Sequence, residues 1–462
     1  MSAHTLPLAA TAAPAARRPR VGAGGFTWVT AAGLSAALLA AAVAGRDSTI
    51  LLVAGATIVG ATVFALRPAL GIALFLLVRP SLDLWADRTV AHVGSHGVNA
   101  AAITGVLLIA LAGSYIAERW REARAAPSFM PFALFALVAG LSIGVAPSKS
   151  FGATEWLRLM TMVVLYGAAY AAARAERRPG RFAAVVLASA VVPVAVGVYQ
   201  TAHGTGRLIA SFGRATGTFL HPDPYGLFLA IVICFLAPFA VSKTFRWRVA
   251  VWVAVPLVIV ALVGSYTRTA WIGAIFGLLV LGAVRYRPLL FLVPVVAVGL
   301  SVAVPSTSQR FADVSRGPIS DTRPGNSFRA RVDLWKQNLP KVKRNPVIGQ
   351  GFGAITKDEG VHVHSDYVRS IVETGVLGFG LYVWLLVSAV LGAIRARRRA
   401  VAAGDEMGVL VSLGALAASG LFMIMSGDSN LMTQVAVAAP LWGFMAAAHA
   451  VATDTPEPRK VG

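Results

Sequence analysis

Charged residues are scarce in this chain: they make up 13% of its 462 residues, whereas a soluble protein carries about 25%. Hydrophobic residues account for 57%, and they form long continuous runs. Runs of this length argue against an ordinary soluble domain. They also differ from the short alternating segments of a membrane barrel. The composition therefore predicts an all-α, polytopic transmembrane protein.

Cysteine is almost absent. The single cysteine, Cys234, lies in an apolar run, which excludes a disulfide framework and a cysteine-based metal site. We interpret this thiol as a packing residue. The segment "HVH" at 362–364 could bind a metal, but no further ligands with zinc spacing occur nearby. No metal site is therefore predicted.

Acidic residues are half as common as basic ones, 20 against 41, and the net charge is +21. Such an excess can indicate a nucleic-acid-binding protein. Here the basic residues lie in short loops between apolar runs, which is the positive-inside pattern of membrane proteins. We therefore expect membrane lipids as partners and no nucleic acid.

The apolar runs predict about fourteen spans, each near the ~20 residues that a bilayer requires. The third span is short and contains Arg79. The predicted spans lie near residues 26–44, 49–66, 69–80, 98–117, 129–145, 154–173, 181–200, 224–242, 248–264, 268–284, 287–304, 366–394, 408–425 and 431–450.

Arginine-rich loops recur at every second connection, and both chain ends carry basic residues of the same kind. This pattern predicts a protein of the cytoplasmic membrane with both termini in the cytoplasm. The first span could be a cleaved signal, but its long basic flank favours an uncleaved anchor. The predicted segments are a disordered cytoplasmic N-terminus (1–25), N-terminal transmembrane helices (26–304), a long extracytoplasmic loop (305–365), C-terminal transmembrane helices (366–450) and a cytoplasmic tail (451–462).

Polar residues outside the cytoplasmic loops collect in three segments: 211–230, 264–280 and 361–386. In the predicted topology each segment leads into a helix that enters the membrane from outside. The N-terminus of such a helix has unpaired N–H groups and a positive half-dipole. A helix N-terminus together with arginine commonly holds phosphate. If the three segments converge, they form an anion site that faces out of the cell.

Individual residues in these segments have predicted places on their helices. Asp223 precedes Pro224, which predicts an N-cap followed by proline at the first helical position. Arg268 is expected at the start of its span. Ser365 or Asp366 is expected to cap the third helix.

Simpler explanations exist for the charged residues. An arginine at the end of a span can be a snorkelling anchor. Arg369 and Glu373 are four residues apart and can form an ion pair on one helix face, and Glu155 and Arg158 can pair likewise. His364 can be structural, or it can accept a proton from an attacking hydroxyl near neutral pH. These alternatives remain open at the level of the residues.

Four stretches resemble motifs of the O-antigen ligase and polymerase superfamily, and they occur in family order over roughly residues 208–390. The N-terminal half is similar only in having many spans. The stretches, with the family patterns they resemble, are "RATGTFLHPDPYGLFLA" (G-T-F-x-x-P-N-x-x-[GA]), "SYTRTAWIGAIFGLLV" (S-x-[ST]-R-[TG]-[AG]-W), "SFRARVDLWKQNLPKVKRNPVIGQGFGAI" (R-x-x-x-W … P-[LI]-x-G-x-G) and "HSDYVRSIVETGVLGFGLYVWLL" (H-[SN]-x-x-[LV]-x-x-x-x-E-x-G-x-x-G).

The resemblance implies a metal-independent, inverting membrane glycosyltransferase that needs no cofactor. Such an enzyme moves a glycan from undecaprenyl diphosphate to a hydroxyl of a glycan, lipid or protein acceptor at the outer face of the membrane. Carried over by position, Arg214 and Arg268 would bind the diphosphate, and His364 would serve the acceptor.

The resemblance also suggests secondary candidates. Asp223 stands where the family usually has Asn, and a carboxylate near a diphosphate is unfavourable unless it is paired. A basic residue of the long loop could neutralise it, or Asp223 could only cap its helix. The further substrate-binding candidates are Arg329, Arg331, His221, Asp223, Tyr367 and Glu373.

Two other classes of function are compatible with a polytopic chain. A transporter or flippase usually keeps ionisable groups near the bilayer midplane and often shows inverted repeats, whereas the polar groups here lie at one face. A membrane scaffold would explain the topology but not the clustered Arg and His.

Ligase and polymerase share their motifs, so the sequence does not distinguish between them. The Ala- and Arg-rich composition leaves an exopolysaccharide or wall glycan open as the product.

Overall fold

The prediction of an all-α polytopic protein is confirmed by a computed structural model, which describes residues 23–45, 48–85, 91–93, 96–209, 212–303, 327–359 and 363–451. A helix overlies each predicted span. The helices of the first half are α1 (Gly25–Gly45), α2 (Ser48–Leu66), α3 (Pro68–Val78), α4 (Ala100–Glu118), α5 (Trp120–Arg124), α6 (Phe129–Ser142), α7 (Lys149–Glu176), α8 (Pro179–Ala188) and α9 (Val191–His203).

The second half continues in the same way, and its last three helices are α16 to α18. These helices are α10 (Pro222–Val241), α11 (Arg248–Gly264), α12 (Arg268–Val284), α13 (Leu289–Ala303), α14 (Ser327–Asn338), α15 (Ala354–Glu359), α16 (Asp366–Ala402), α17 (Glu406–Met425) and α18 (Val435–His449). Short 3-10 segments follow α3, α6 and α14: Arg79–Trp85, Ile143–Val145 and Leu339–Arg344.

Two small antiparallel hairpins interrupt the helices, and the sequence did not predict them. One pairs β1 (Ala91–Val93) with β2 (His96–Val98), and the other pairs β3 (Arg207–Ile209) with β4 (Phe212–Arg214). In the second hairpin Arg207 lies opposite Arg214. The hairpin therefore ends at an arginine that the motifs single out.

Six helical stretches among the described residues are both long and apolar enough to cross a membrane, and one of them, Pro179–His203, consists of α8 and α9 together: Ala100–Glu118, Lys149–Glu176, Pro179–His203, Pro222–Val241, Asp366–Ala402 and Glu406–Met425. Six shorter apolar helices, of 10–17 residues, accompany them. The chain is therefore a multi-pass membrane protein, while the count of about fourteen crossings stays a prediction. Of the predicted long loop, residues 304–326 and 360–362 lie outside the described residues, as do both predicted tails apart from residues 23–25 and Val451.

The centre of the fold lies around α7, α10 and α17, which are largely buried. Aromatic rings fill this centre: Phe235 of α10 stacks on Phe444 of α18 with ring centroids 3.7 Å apart. Helix α13, in contrast, exposes Phe291 and Val302. An exposed apolar helix face is the surface expected to contact lipid.

Helix α16 consists of two helices that meet at a break. Gly375 has φ 66° and ψ −170°, which ends the helical pattern after eight or nine residues. The segment 345–353, which is built of turns, packs into this break: the Gln350 N–H donates to the Val372 carbonyl at 2.8 Å, and the Val376 N–H donates to the Pro346 carbonyl at 2.8 Å. This part of the predicted long loop is therefore hydrogen-bonded to α16.

Glycine is required at two points of this junction. Gly349 and Gly375 both have positive φ, which costs other residues backbone strain. A Cβ at Gly349 would meet the backbone of Glu373, and a Cβ at Gly375 would meet the backbone of Val347. Two glycines of the motifs thus allow two backbones to approach each other closely.

The helix starts agree with the sequence in two cases and differ in one. Helix α12 begins at Arg268, and the Ser365 side chain caps α16 by accepting from the Val368 N–H at 3.3 Å. The predicted cap at Asp223 is wrong. Pro222 occupies the start of α10, so the cap falls on His221, whose Nδ1 accepts from the Asp223 N–H at 3.3 Å.

Candidate functional site

Arg214 joins the first two motifs. It ends strand β4, and its residue is only 4% exposed. Its Nε donates to the Ser265 carbonyl at 2.9 Å, and its Nη2 donates to Asp223 Oδ1 at 2.6 Å and to Thr267 Oγ1 at 3.0 Å. We call these four residues the Arg214 cluster. It holds a guanidinium between the starts of α10 and α12.

The same contacts bring the two helix N-termini together. Thr267 Oγ1 donates to the Pro222 carbonyl at 3.0 Å, and a Cβ at Gly226 would meet the Thr267 side chain. Two positive half-dipoles therefore lie side by side. The charge of Asp223 is balanced chiefly by Arg214 within the cluster, with a smaller contribution from Arg331 of the long loop, and its side chain is 28% exposed.

His221 lies at the edge of this cluster, with its side chain 43% exposed and its Nδ1 3.7 Å from Asp223 Oδ2. Burial lowers the pKa of His221 below its ordinary value, and the charges of Arg214, Arg207 and Arg331 lower it further, against the opposing effect of Asp223. The ring is therefore neutral at pH 7. A neutral Nδ1 is what accepts the Asp223 N–H.

Asp428, which sequence reasoning missed, connects α12 to the long loop. Arg331 of α14 pairs with Asp428 Oδ2 at 2.6 Å, and Thr269 Oγ1 donates to the same oxygen at 2.7 Å. Asp428 lies in the connection between α17 and α18 and belongs to none of the four motifs. Its one signal in the sequence is that it is the sole acidic residue of that connection.

The same connection contacts the start of α16. The Asp366 N–H donates to the Ser426 carbonyl at 2.8 Å, and Asp366 Oδ2 accepts from the Leu431 N–H at 2.8 Å. Tyr367, a predicted substrate-binding residue, donates its hydroxyl to the Met423 carbonyl at 2.8 Å. The fourth motif is thus anchored to the loop that carries Asp428.

His364 lies directly before this anchored helix and is partly exposed. The preceding Val363 is buried, and its carbonyl accepts from Trp335 Nε1 at 2.8 Å. His364 itself has φ 50°, and Tyr266, two residues before α12, has φ 49°. Left-handed backbone in a non-glycine residue is uncommon and is concentrated at functional sites.

The remaining predicted cations, Arg268 and Arg329, lie close in sequence to residues that contact Arg214 or Asp428. Arg268 is partly exposed, and its chain neighbours Thr267 and Thr269 contact Arg214 and Asp428 respectively. Arg329 is exposed on α14, two residues before Arg331. One continuous set of contacts therefore links the segments that carry Arg214, Arg268, Arg331 and His364.

A second arginine, Arg369, lies in a fully buried ion-pair network. Its Nε donates to Glu373 Oε2 at 2.9 Å, its Nη2 to Glu155 Oε2 at 2.9 Å and its Nη1 to Thr433 Oγ1 at 2.8 Å. Glu155 also pairs with Arg158. Both ion pairs expected from the sequence are confirmed, and the pair between α7 and α16 joins residues 214 positions apart.

Glu373 is among the predicted substrate-binding residues, but it is 0% exposed. Its Oε2 accepts from the Gly353 N–H at 2.9 Å, and its Oε1 accepts from the Ile355 N–H at 3.2 Å. A carboxylate with protein donors at both oxygens is suited to hold the long loop against α16. We therefore interpret Glu373 as a positioning residue.

Among the residues that the structure describes, no group of three His, Cys, Asp or Glu side chains could hold a metal ion. His362 of the "HVH" segment lies outside those residues. Cys234 is buried in α10 as a free thiol.

The family model that matches this chain is Wzy_C, O-antigen ligase, over residues 253–383. That range contains Arg268, Arg331, His364 and Glu373, whereas Arg214 precedes it. The chain is also 27% identical over 227 residues to the exopolysaccharide production protein ExoQ of Rhizobium meliloti (strain 1021). The aligned part is 43% of this chain and 51% of that relative, so the chain spans about half the length of ExoQ. Both matches confirm the resemblance of this chain to the O-antigen ligase and polymerase superfamily.

Proposed function

We propose that this protein is a membrane glycosyltransferase that moves a glycan from undecaprenyl diphosphate to an acceptor hydroxyl at the outer face of the cytoplasmic membrane. One observation carries the proposal: the contacts Arg214–Thr267, Thr269–Asp428, Arg331–Asp428 and Ser426–Asp366 join all four motifs at one place. These contacts support the proposal that distant parts of the chain supply cations, helix N-termini and a histidine to a common site.

The donor half of the site is built around the Arg214 cluster and Arg268. When the bond between the sugar and the phosphate oxygen breaks, negative charge develops on the diphosphate. Fixed donors stabilise such charge without reorganisation, and one of them typically contributes ~100–1,000-fold in rate. The adjacent N-termini of α10 and α12 add their half-dipoles. The diphosphate is itself the leaving group, so the reaction requires no nucleotide.

The acceptor half is assigned to His364. Its imidazole accepts the proton of the acceptor hydroxyl while that oxygen forms a bond to the anomeric carbon, and the bond to the diphosphate oxygen breaks with its electron pair. Attack opposite the leaving group inverts the anomeric centre. Ser365 and Asp366, which are tied to the α17–α18 connection, hold the backbone beside His364.

The buried Arg369 network supports this geometry by holding the start of α16 in place. It ties the first eight or nine residues of α16 to α7 through Glu155 and to the long loop through Glu373. A third tie runs from Arg369 to Thr433, which precedes α18, so the start of α16 is fixed from three directions. We assign Arg369 and Glu155 a positioning role for His364.

The test uses substitution in the intact protein. Arg268→Ala and His364→Ala should each reduce glycan transfer from a purified undecaprenyl diphosphate-linked donor by at least ~100-fold, with normal protein abundance in the membrane. Arg121→Ala, at an exposed arginine of α5, is the matched control and should retain wild-type transfer. Full activity in both site variants would exclude the mechanism.

The product is best examined in a deletion strain. The name of the relative, exopolysaccharide production protein, favours a polymerase of exopolysaccharide repeats over a ligase. A polymerase predicts that single lipid-linked repeats accumulate when the gene is absent. Accumulation of full-length carrier-bound chains would instead indicate a ligase.

A further inference from the structure

We propose that the end of α14 and the segment that follows it form a docking surface for the headgroups of anionic phospholipids. Depth in the bilayer and charge carry this assignment, which is independent of the proposed function. The exposed residues of the surface, which we call the basic surface, are Lys336, Leu339, Lys343, Arg344 and Val347.

The break in α16 marks a depth in the bilayer. Twenty residues without a charge run from Gly375 to Ile394, and Arg395 follows them. A helix of this length is ~30 Å long, which matches the hydrocarbon core of a bilayer at ~30 Å. The part of α16 after the break therefore spans the core by itself, and Gly375 lies near the boundary between acyl chains and headgroups.

The same part of α16 has a face that turns away from the other helices. Exposed apolar side chains recur on it every three or four residues, which is the spacing of one helix face. Such a face is the surface expected to contact acyl chains. The side chains concerned are Val376, Leu377, Val383, Trp384, Val387 and Leu391.

The basic surface is attached to the upper end of this face. The Val376 N–H donates to the Pro346 carbonyl at 2.8 Å, and the Leu377 N–H donates to the Val347 carbonyl at 3.4 Å. Val347 is itself 60% exposed, so it extends the apolar face past Gly375. The residues directly before Val347 in the chain therefore lie at the depth of the headgroups.

The segment carries charge of one sign. Residues 334–357 include five basic residues and no acidic one. Three of the basic residues, Lys336, Lys343 and Arg344, are exposed, and Leu339 is exposed among them. Lys and Arg side chains reach phosphates at a membrane surface while neighbouring apolar side chains contact the acyl chains. The surface therefore matches a phosphate above acyl chains.

An acidic glycan would also be attracted by these cations, but the apolar residues favour lipid. A polar glycan leaves Leu339 and Val347 in water, whereas acyl chains cover them. In the predicted topology this end of α16 lies outside the cytoplasm, where the positive-inside pattern does not account for basic residues. An anionic phospholipid satisfies both the charge and the apolar side chains.

The experiment uses a fluorescent label on the basic surface. Leu339→Cys supplies an accessible thiol for a bimane label, because Cys234 is buried. The labelled full chain is placed in vesicles of equal parts phosphatidylglycerol and phosphatidylcholine. A nitroxide at the same shallow acyl carbon of one lipid or the other quenches the label. Nitroxide phosphatidylglycerol should quench several-fold more strongly than nitroxide phosphatidylcholine.

Removing the cations should remove this preference. Each Lys or Arg near an anionic surface strengthens the attraction about fivefold, so Lys343→Gln with Arg344→Gln should lower the preference at least fivefold. Arg121→Gln with Arg124→Gln removes the same charge from exposed positions of α5 and should leave the preference unchanged. High ionic strength should weaken the preference of the wild type, because salt screens exposed charges.

The proposal is overturned by equal quenching by the two lipids, or by an unchanged preference in the folded Lys343→Gln, Arg344→Gln protein. Quenching by a water-soluble nitroxide alone would place the surface outside the bilayer, with the same consequence. Loss of the phosphatidylglycerol preference on addition of a soluble polyuronate would assign the surface to an acidic glycan instead. If the double variant does not fold, the salt dependence of the wild type decides the question.

Discussion

Two arginines near helix N-termini have different partners in this protein. Arg214 pairs with Asp223, whose side chain is 28% exposed, beside a cavity and two helix N-termini. Arg369 pairs with Glu155 and Glu373, whose side chains are 1% and 0% exposed. Both guanidiniums are buried, so the exposure of the partner carboxylate distinguishes the two clusters.

The difference separates two roles of an arginine near a helix N-terminus. In the proposed mechanism the Arg214 cluster meets the substrate, and the partial exposure of its carboxylate, Asp223, supports that role. The Arg369 network has protein groups around all its charges, and it joins α7, α16, the loop before α15 and the segment before α18. We therefore expect changes at Arg214 to affect transfer first, and changes at Arg369 to affect folding first.

The largest effect is expected from Arg369→Ala. This substitution leaves the Glu155 and Glu373 carboxylates buried without their main cation, and removing one partner of a buried pair typically costs about 3–5 kcal/mol. The protein should fall to low abundance in the membrane, and the purified remainder should unfold at a clearly lower temperature. Quantitative immunoblotting and thermal unfolding in detergent measure both effects.

Arg158→Ala is the matched control for this prediction. Arg158 pairs with the same Glu155, but its side chain is 51% exposed, and exposed pairs contribute about 0–1 kcal/mol. Near-normal stability is expected. Equal losses of stability in Arg369→Ala and Arg158→Ala would remove the distinction between buried and exposed partners.

The next largest effect is on catalysis. Arg214→Ala should lower transfer by ~100–1,000-fold, as expected for loss of one donor to a charged transition state, with a smaller loss of stability than in Arg369→Ala. Initial rates of transfer from the lipid-linked donor, normalised to folded protein, measure this effect.

Asp223→Asn is the companion to Arg214→Ala. The amide oxygen can still accept from Arg214, while the negative charge near the diphosphate is removed, which also restores the residue usual in the family. Transfer should stay within a few-fold of wild type, and the affinity for the donor should rise. A loss as large as that in Arg214→Ala would mean that the carboxylate itself is required.

The fold could be predicted from sequence because long apolar runs permit few structures in a bilayer. Helix α10, for example, follows from its run of apolar residues, and its start was misplaced by two residues because the ring nitrogen of His221 is a rare cap. The break at Gly375 could not be predicted. The residues around it are helical in pattern, and the break depends on the segment 345–353 that packs there.

The motif residues of the candidate site could be identified from the sequence, but the residues that they contact could not. Arg214, Arg268 and His364 stand out as polar residues at the starts of apolar runs. Asp428 and Glu155 do not, because their roles arise from contacts with residues 97 and 214 positions away. Spacing along one helix reveals pairs such as Arg369 and Glu373, but contacts between distant segments require the folded chain.

A smaller effect tests how the Arg369 network is held in place. Gly375→Ala puts a Cβ against the backbone of Val347 at φ 66°, and backbone strain of this kind costs about 1–3 kcal/mol. Gly380→Ala lies in the same helix, where a Cβ meets nothing within 4 Å, and it should stabilise by up to about 1 kcal/mol because alanine favours helix. Thermal unfolding should shift in opposite directions for the two variants, and a shift in the same direction would contradict the structural role of the break.

The smallest effect concerns pH. It is specific to His221, which lies at the edge of the Arg214 cluster, and does not involve the Arg369 network. The folded protein lowers the pKa of His221, so the unfolded chain takes up a proton first when the pH falls below the ordinary value of about 6.5. The neutral His221 ring therefore makes its full contribution to the free energy of unfolding above that pH. This contribution is lost as the pH falls toward the lowered pKa of the folded state. Protonation also ends the hydrogen bond that Nδ1 accepts from the Asp223 N–H. Between pH 7 and 5 the unfolding temperature of the wild type should fall more steeply than that of His221→Gln, and parallel curves would show that His221 does not carry this dependence.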